Sequence, residues 1–329
     1  MKYYTCANTS SGVADFTDDN ISFIDKKVVL KCRNNLIKDA VLRRVGKGFS
    51  ECDEIYCCGS NKLISGIVSK NNEVAIVDKC SNYDKLIDLD LQFCINDCEE
   101  ANELYTEMFK AYGEAKIIHD QWEKIYVSNM DFAKFDKYCN GVIEKLTDVS
   151  SIGECAENTK RFFGTSTING PVNFIDNITE TIKKRYFIKG RPGTGKSTFL
   201  KKLSAKLKSM GFDTEEYYCS FDKESLDMVV CRKLSFCVFD STPPHEKFPE
   251  RKEDEILDFY VESGLCGIDE KFENELYDIK CEYDKKIKEG MSYFKKAWDL
   301  KWGYESTFLE KIDKDEIHHI SKQIIENLK

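Results

Sequence analysis

Two spacings of apolar residues alternate along this chain. The first is the short unbroken run, seen at Ile55-Tyr56-Cys57-Cys58, Val74-Ala75-Ile76-Val77, Tyr186-Phe187-Ile188, Tyr217-Tyr218-Cys219-Ser220 and Phe236-Cys237-Val238-Phe239. Runs of this length with little polar alternation predict strands buried on both faces. The second is a long stripe stepping by three or four. It passes from Gln92 to Val127 through Ile95, Cys98, Ala101, Tyr105, Met108, Tyr112, Ala115, Ile118, Trp122 and Ile125, and recurs at Phe272, Leu276, Ile279, Tyr283, Ile287, Met291, Phe294 and Trp298. Each stripe predicts one long amphipathic helix, and Asp131 to Leu146 and Asp313 to Leu328 add a shorter one after it. Strands followed by helices imply an α/β fold with a mainly parallel sheet.

The recurrence is a tandem repeat. At an offset of 158 positions (196 − 38), Thr9 to Val45 lies over Thr167 to Leu203 without a gap, and Gly12 meets Gly170, Phe16 meets Phe174, Ile24 meets Ile182 and Leu42 meets Leu200. After a shorter connection the register resumes at an offset of 162 (240 − 78), which lays Val74 to Asp78 over Phe236 to Asp240. Self-similarity over this span means two copies of one unit. The polar stretch Thr147 to Asn158, with Ser150, Ser151 and Gly153, places the boundary. One repeat then spans residues 1–150 and the other 159–329, each expected to carry its own long-helix hairpin.

The copies differ where chemistry is concentrated. After the strand ending at Lys189 come Gly190-Arg191-Pro192-Gly193-Thr194-Gly195-Lys196-Ser197-Thr198 and an amphipathic helix, a full match to the phosphate-binding P-loop. Its glycines let backbone N–H groups turn around phosphate oxygens at a helix N-terminus, Lys196 reaches the β- and γ-phosphates, and the Ser197 hydroxyl ligates Mg²⁺. Asp240 closes its strand where such folds hold Mg²⁺, so Ser197 and Asp240 are the expected metal ligands. Ser241 follows, where enzymes that split ATP for mechanical work often carry a glutamate. In the first copy the loop reads Lys31-Cys32-Arg33-Asn34-Asn35-Leu36-Ile37-Lys38-Asp39-Ala40. Its three glycines are gone and Asp39 replaces the serine, so this site is expected to be dead.

Three further residues are candidates around the γ-phosphate. His245, in the proline-rich loop after Asp240, is a metal ligand, a phosphate contact or a base, or else a loop histidine satisfied by a neighbour. Arg251 folds over the phosphates as a lid arginine, or sits at the surface beside Glu250 and Glu253. Asp222 is a base for an acceptor hydroxyl or an outer Mg²⁺ ligand, or else the N-cap of a short helical turn; Asp227 lies in the same segment.

Composition narrows the partners. A formal charge of −9 argues against a general nucleic-acid binder. No apolar stretch is long enough to span a membrane and no signal-peptide core opens the chain, so a cytoplasmic location is expected. The 15 cysteines make no Cys-x-x-Cys pair and are read as reduced core residues rather than a metal–thiolate site.

With these residues in view, the chain resembles a little-characterised bacterial family of tandem P-loop ATPases. The resemblance runs nearly end to end and is carried by Arg185 to Thr198, Ser225-Leu226-Asp227-Met228-Val229, Phe239-Asp240-Ser241-Thr242 with Pro244-His245-Glu246, and Ile118-His119-Asp120-Gln121-Trp122-Glu123-Lys124-Ile125-Tyr126. It implies two P-loop NTPase-type repeats, of which both commonly keep the loop, and names no substrate. The expectation is a Mg-ATP-binding ATPase or kinase-like phosphotransferase with one site, catalytic groups drawn from Lys196, Asp240, His245, Asp222 and Arg251, and a small-molecule acceptor or a protein partner. The alternative is a non-catalytic interaction protein that nucleotide only stabilises. ATP is preferred to GTP by default, because no guanine-specifying Asn-Lys-x-Asp string is present. A further expectation is a pseudo-dimer in which Arg33 or Lys38 faces the live site.

Overall fold

A computed structural model describes residues 1–93, 97–153 and 155–328. Cys94, Ile95 of the first stripe and Glu154 of the linker lie outside the described residues.

In the first half, β1 (Lys2–Tyr3) leads to a hairpin of β2 (Cys6–Thr9) and β3 (Gly12–Asp15), then to the short helix α1 (Thr17–Asn20). There follow β4 (Lys26–Lys31), α2 (Asn35–Gly46), β5 (Asp53–Tyr56), β6 (Ile64–Ser69), β7 (Val74–Val77), β8 (Lys85–Asp88), α3 (Leu89–Phe93), α4 (Glu99–Val127) and α5 (Phe132–Leu146). The second half repeats the plan with β9 (Asn158–Arg161), a hairpin of β10 (Gly164–Thr167) and β11 (Gly170–Asn173), α6 (Ile175–Ile178), β12 (Lys184–Lys189) and α7 (Lys196–Ser209). It continues with β13 (Thr214–Tyr218), β14 (Leu226–Cys231), β15 (Phe236–Asp240), β16 (Glu255–Asp258), α8 (Phe259–Glu262), α9 (Ile268–Lys271), α10 (Glu273–Leu309) and α11 (Lys314–Leu328).

Both large sheets have the same strand order, β1-β5-β6-β7-β4-β8 and β9-β13-β14-β15-β12-β16. In each, one inner strand, β6 or β14, is antiparallel to both neighbours, and the other pairings are parallel. The fold is therefore α/β, with two mainly parallel mixed sheets in two matching repeats. The antiparallel strand corrects one expectation. The segment after Asp222 makes a turn and then β14, not a helical turn, because every residue of Leu226-Asp227-Met228-Val229-Val230-Cys231 is buried between two packed faces.

The alternation along each strand decides the layering. In β12, Tyr186 and Ile188 point to a core shared with α7, while Phe187 points to a second core. That second core is central. It joins Ile55, Val68, Ala75 and Val77 of the first sheet to Phe187, Met228, Val230 and Phe239 of the second, so the sheets pack face to face. Equivalent residues meet across it: Tyr4 and Phe162, related by the offset of 158 (162 − 4), exchange backbone hydrogen bonds of 3.0 and 2.8 Å. The halves are thus related by a pseudo-two-fold.

The helices after each sheet do not fold back on their own half, as a self-contained hairpin would. Helices α4 and α10 run antiparallel, with Tyr112 donating to Met291 at 3.1 Å and Lys286 pairing with Glu114 at 2.6 Å. They deliver α5 and α11 to the opposite sheets. Phe135, Cys139, Ile143 and Leu146 of α5 pack with Phe199, Leu203 and Phe259 of the second half, and Ile317, Ile320 and Ile324 of α11 pack with Val41 and Val45 of α2 in the first. Among the described residues, no helix is long and apolar enough to cross a membrane.

Candidate functional site

The parallel register of β12 and β15 sets Ile188 opposite Asp240, so the glycine loop and the aspartate emerge side by side at the carboxyl end of the sheet. Gly193 (φ 78°) and Gly195 (φ 77°) hold the left-handed backbone that side chains disfavour, and Gly195 leads directly into α7. Lys196 Nζ donates to the Arg191 carbonyl at 3.0 Å and stands 3.5 Å from Asp240 Oδ2. Asp240 Oδ1 accepts from the Thr242 backbone N–H at 3.0 Å and hydroxyl at 2.6 Å, which fixes the carboxylate plane.

Ser197 Oγ accepts the Leu226 N–H at 2.9 Å, which brings the next residue, Asp227, to the same place. Asp227 sits at a break in the β13–β14 register, a bulge that redirects its side chain, and is only 8% exposed. Burial, and then the neighbouring Asp240 carboxylate, push its pKa up to about 8. Two carboxylates, Asp227 and Asp240, thus neighbour one another next to the segment that Ser197 holds, and oxygen groups of this kind are the ones a divalent cation prefers. Here β14 gives the site a member that the run of residues alone left ambiguous.

The remaining candidates divide. Asp222 lies 3.4 Å from Lys116 of α4 and accepts the Glu224 N–H at 3.0 Å, so it caps its own turn at the rim. His245 turns its ring edge-on to Phe163, with centroids 4.9 Å apart, and its buried Nδ1 has no hydrogen-bond partner among the described residues. Burial lowers its pKa to about 4, against the pull of Asp240, which keeps the imidazole neutral. Arg251 is not brought to the loop: its Nη1 donates to the carbonyls of Thr179 and Ile182 at 3.2 and 2.9 Å. The reason is topological. β16 runs parallel to β12, so the chain leaving Asp240 must cross to the other end of the sheet before β16 begins, and Arg251 travels with it.

Residues of the first half complete the surroundings. A Cβ on Gly193 would lie 2.8 Å from the Glu123 carbonyl of α4, and one on Gly195 would lie 2.9 Å from the Phe135 ring of α5. Arg191 is tied to Asp269 at 2.6 and 2.9 Å, and Tyr126 of α4 donates to the same aspartate at 2.9 Å. Lys116, His119 and Glu123 line one face of α4 at steps of three and four, a spacing visible in the chain, yet nothing in it says that this face meets the other half's loop. Lys116 pairs with Asp222, and His119 and Glu123 feel the charges of Lys196 and Asp222. Burial, then Lys116, lowers the pKa of His119; burial raises that of Glu123. His119, Asp120 and Glu123 place ligand atoms within 4.8 Å of one another, but Lys116 already pairs with Asp120.

The first half shows what the loop becomes without glycine. Asn34 caps α2 by accepting the N–H groups of Leu36 and Ile37 at 3.0 and 3.1 Å, donors of the kind a phosphate would use. Asn34 and Asn35 donate to Glu305 of α10, each at 3.0 Å, and close the space from above. Lys38 is buried and pairs with Asp78 at 2.7 Å. Arg33 lies 3.1 Å from Asp97 and 3.7 Å from Asp90. Both cations answer carboxylates of their own half, which corrects the expectation that one of them faces the live site. Asp39 accepts the Ile64 N–H at 2.8 Å, as Ser197 accepts that of Leu226, so the scaffold survives although the cradle does not.

No family model matches the chain, and neither does any curated protein or solved structure.

Proposed function

We propose that this chain is a tandem P-loop protein that binds Mg-ATP at one site, Gly190 to Thr198, and hydrolyses it or passes its γ-phosphate to an acceptor. The observation that carries this reading is the contrast between two equivalent loops. Both halves keep a lysine–aspartate pair, Lys196 with Asp240 and Lys38 with Asp78, but one loop holds left-handed glycines before α7, while in the other the helix-terminal N–H groups are taken up by Asn34 and the space is closed by Glu305. In this reading the loop N–H groups and Lys196 would hold the phosphates, and Ser197, Asp240 and Asp227 would hold Mg²⁺, which would supply charge neutralisation. Asp222, at the rim with Lys116, faces an acceptor rather than the metal. His245 supports the loop after Asp240 as a neutral, packed ring. A cytoplasmic setting, ATP rather than GTP, and membership of the tandem P-loop ATPase family are parts of the same proposal.

Calorimetric titration with ATP and Mg²⁺ tests it. The expected stoichiometry is one nucleotide per chain, with Lys196→Ala weakening binding about ten- to a hundredfold through loss of a charge-assisted contact. A stoichiometry near two, or binding undiminished in the variant, would overturn it. Phosphate release without an acceptor favours hydrolysis, and acceptor-dependent ADP production favours transfer. Thermal stabilisation by ATP with no turnover under any condition returns the alternative, a nucleotide-stabilised interaction protein.

A further inference from the structure

A carboxylate belonging to the first half stands over the second half's glycine loop. Glu123 lies one turn before the end of α4, whose backbone is in contact with Gly193 and whose Tyr126 is tethered to Arg191 through Asp269. The second half has no acidic residue directly after Asp240. The carboxylates around its loop are otherwise engaged: Asp240 with Lys196 and Thr242, Asp227 buried beside Asp240 and Cys219, and Asp222 with Lys116 and its own turn. Glu123 lies 3.7 Å from His119 Nδ1, and its side chain remains 39% exposed.

The pseudo-two-fold supplies an internal comparison. The offset that relates Asp131 to Asp313 is 182 (313 − 131), and it relates Glu123 to Glu305. Glu305 is 4% exposed, takes the Asn35 amide at 3.0 Å and lies 3.7 Å from Lys301, so it seals the degenerate loop. The same position thus plugs one loop and stays partly exposed over the other.

We propose that Glu123 is a catalytic residue that the first half supplies to the second half's site, acting as the base for the group that attacks the γ-phosphate. This rests on the Mg-ATP reading above. The oxygen of a water or acceptor hydroxyl bonds to the γ-phosphorus, and its proton passes to the Glu123 carboxylate. The bond from the γ-phosphorus to the bridging oxygen breaks, its electron pair leaving on ADP. Burial of Glu123 raises its proton affinity toward the range a base needs, with Lys116 opposing and Asp120 reinforcing the shift.

The test uses the full chain with Mg²⁺, a non-hydrolysable ATP analogue for affinity, and ATP for turnover. Glu123→Gln is expected to hold analogue affinity within about threefold while turnover falls about 10²- to 10⁴-fold, the range for loss of a positioned base. Glu123→Asp is expected to recover part of the rate, and Glu305→Gln to leave it unchanged. Turnover in Glu123→Gln within about threefold of wild type, or a loss of affinity with turnover per bound nucleotide preserved, overturns the assignment. So does a wild-type protein that binds the analogue yet turns over with neither water nor any acceptor, although nucleotide binding would then stand. Failure of the wild type to bind the analogue removes the nucleotide site itself and this role with it.

Discussion

Arg185 and Asp254 meet far from the glycine loop, yet they govern where Arg251 goes. Arg185 Nε and Nη2 reach the two carboxylate oxygens at 2.9 and 2.6 Å, and both side chains are buried. The same carboxylate accepts the N–H groups of Glu250 and Arg251 at 2.9 Å each, which sets the turn before β16. Burial by itself would raise the Asp254 pKa, but Arg185 and the two N–H donors outweigh it and hold the carboxyl down to about 2. The unfolded chain takes up this proton near pH 4, so the native state binds fewer protons between pH 4 and pH 2. The stability this carboxylate contributes is therefore complete above about pH 4 and is lost as pH falls toward 2. Asp254→Asn strands a buried guanidinium and is expected to cost about 3–5 kcal/mol near neutral pH, with the gap to wild type narrowing below pH 4. Denaturant midpoints at pH 7 and pH 3 measure this, and a gap that stays constant or widens in acid refutes it.

At the scale of elements, the antiparallel pairing of α4 and α10 depends on one missing side chain. Gly290 faces the Tyr112 ring, and a Cβ there would lie 2.5 and 2.6 Å from two ring carbons. The offset of 182 makes Met108 the counterpart of Gly290 (290 − 108), and the Met108 carbonyl lies 3.4 Å from where that Cβ would be, so the pseudo-two-fold passes through this crossing. Alanine improves helix propensity by about 1 kcal/mol, but forcing the ring aside costs about 1–3 kcal/mol, and the crossing has little room to yield. Gly290→Ala is therefore expected to lower the melting temperature, and an unchanged or higher value would show that Tyr112 moves at little cost. The elements themselves were unevenly legible in the chain. The apolar run at Tyr186 and the stripe from Asp131 to Leu146 marked β12 and α5 closely, and the folded chain shows why: a glycine loop ends the first, and the Asp131 carboxylate opens the second by accepting the Lys134 N–H at 3.0 Å. β14 was hidden by Asp227, a charged residue in a buried strand that is tolerated because a bulge and a neighbouring carboxylate give it a local purpose. The edge strands β8 and β16 were hidden because all their residues but Leu257 stay half-buried or exposed, leaving too short an apolar run to register as strand.

At the scale of the whole molecule, the glycine loop could be located from the chain, but its walls could not. An amphipathic stripe states that a helix face is apolar and leaves open which surface will cover it. Here the exchange of α5 and α11 makes each sheet's outer core a joint product of both halves, and the glycine loop rests on residues that precede the boundary at Thr147. This separates two views of the degenerate half. If it were only a passenger, changes in α5 would leave nucleotide affinity untouched. If the exchange positions the loop, Phe135→Ala should disturb it, because Phe135 is buried, packs edge-on to Phe259 with centroids 4.9 Å apart and sits against Gly195. The loss of that ring is expected to cost about 3–5 kcal/mol of stability and, by loosening the turn into α7, to weaken nucleotide binding severalfold. Ile320→Ala on α11 is the matched control. It removes a buried side chain from the exchanged helix that serves the first half, with an expected cost of about 2–5 kcal/mol, and should leave affinity for the remaining folded protein unchanged. Equal nucleotide affinity in the two variants, measured well below their melting temperatures, would mean that the loop holds its shape without the first half.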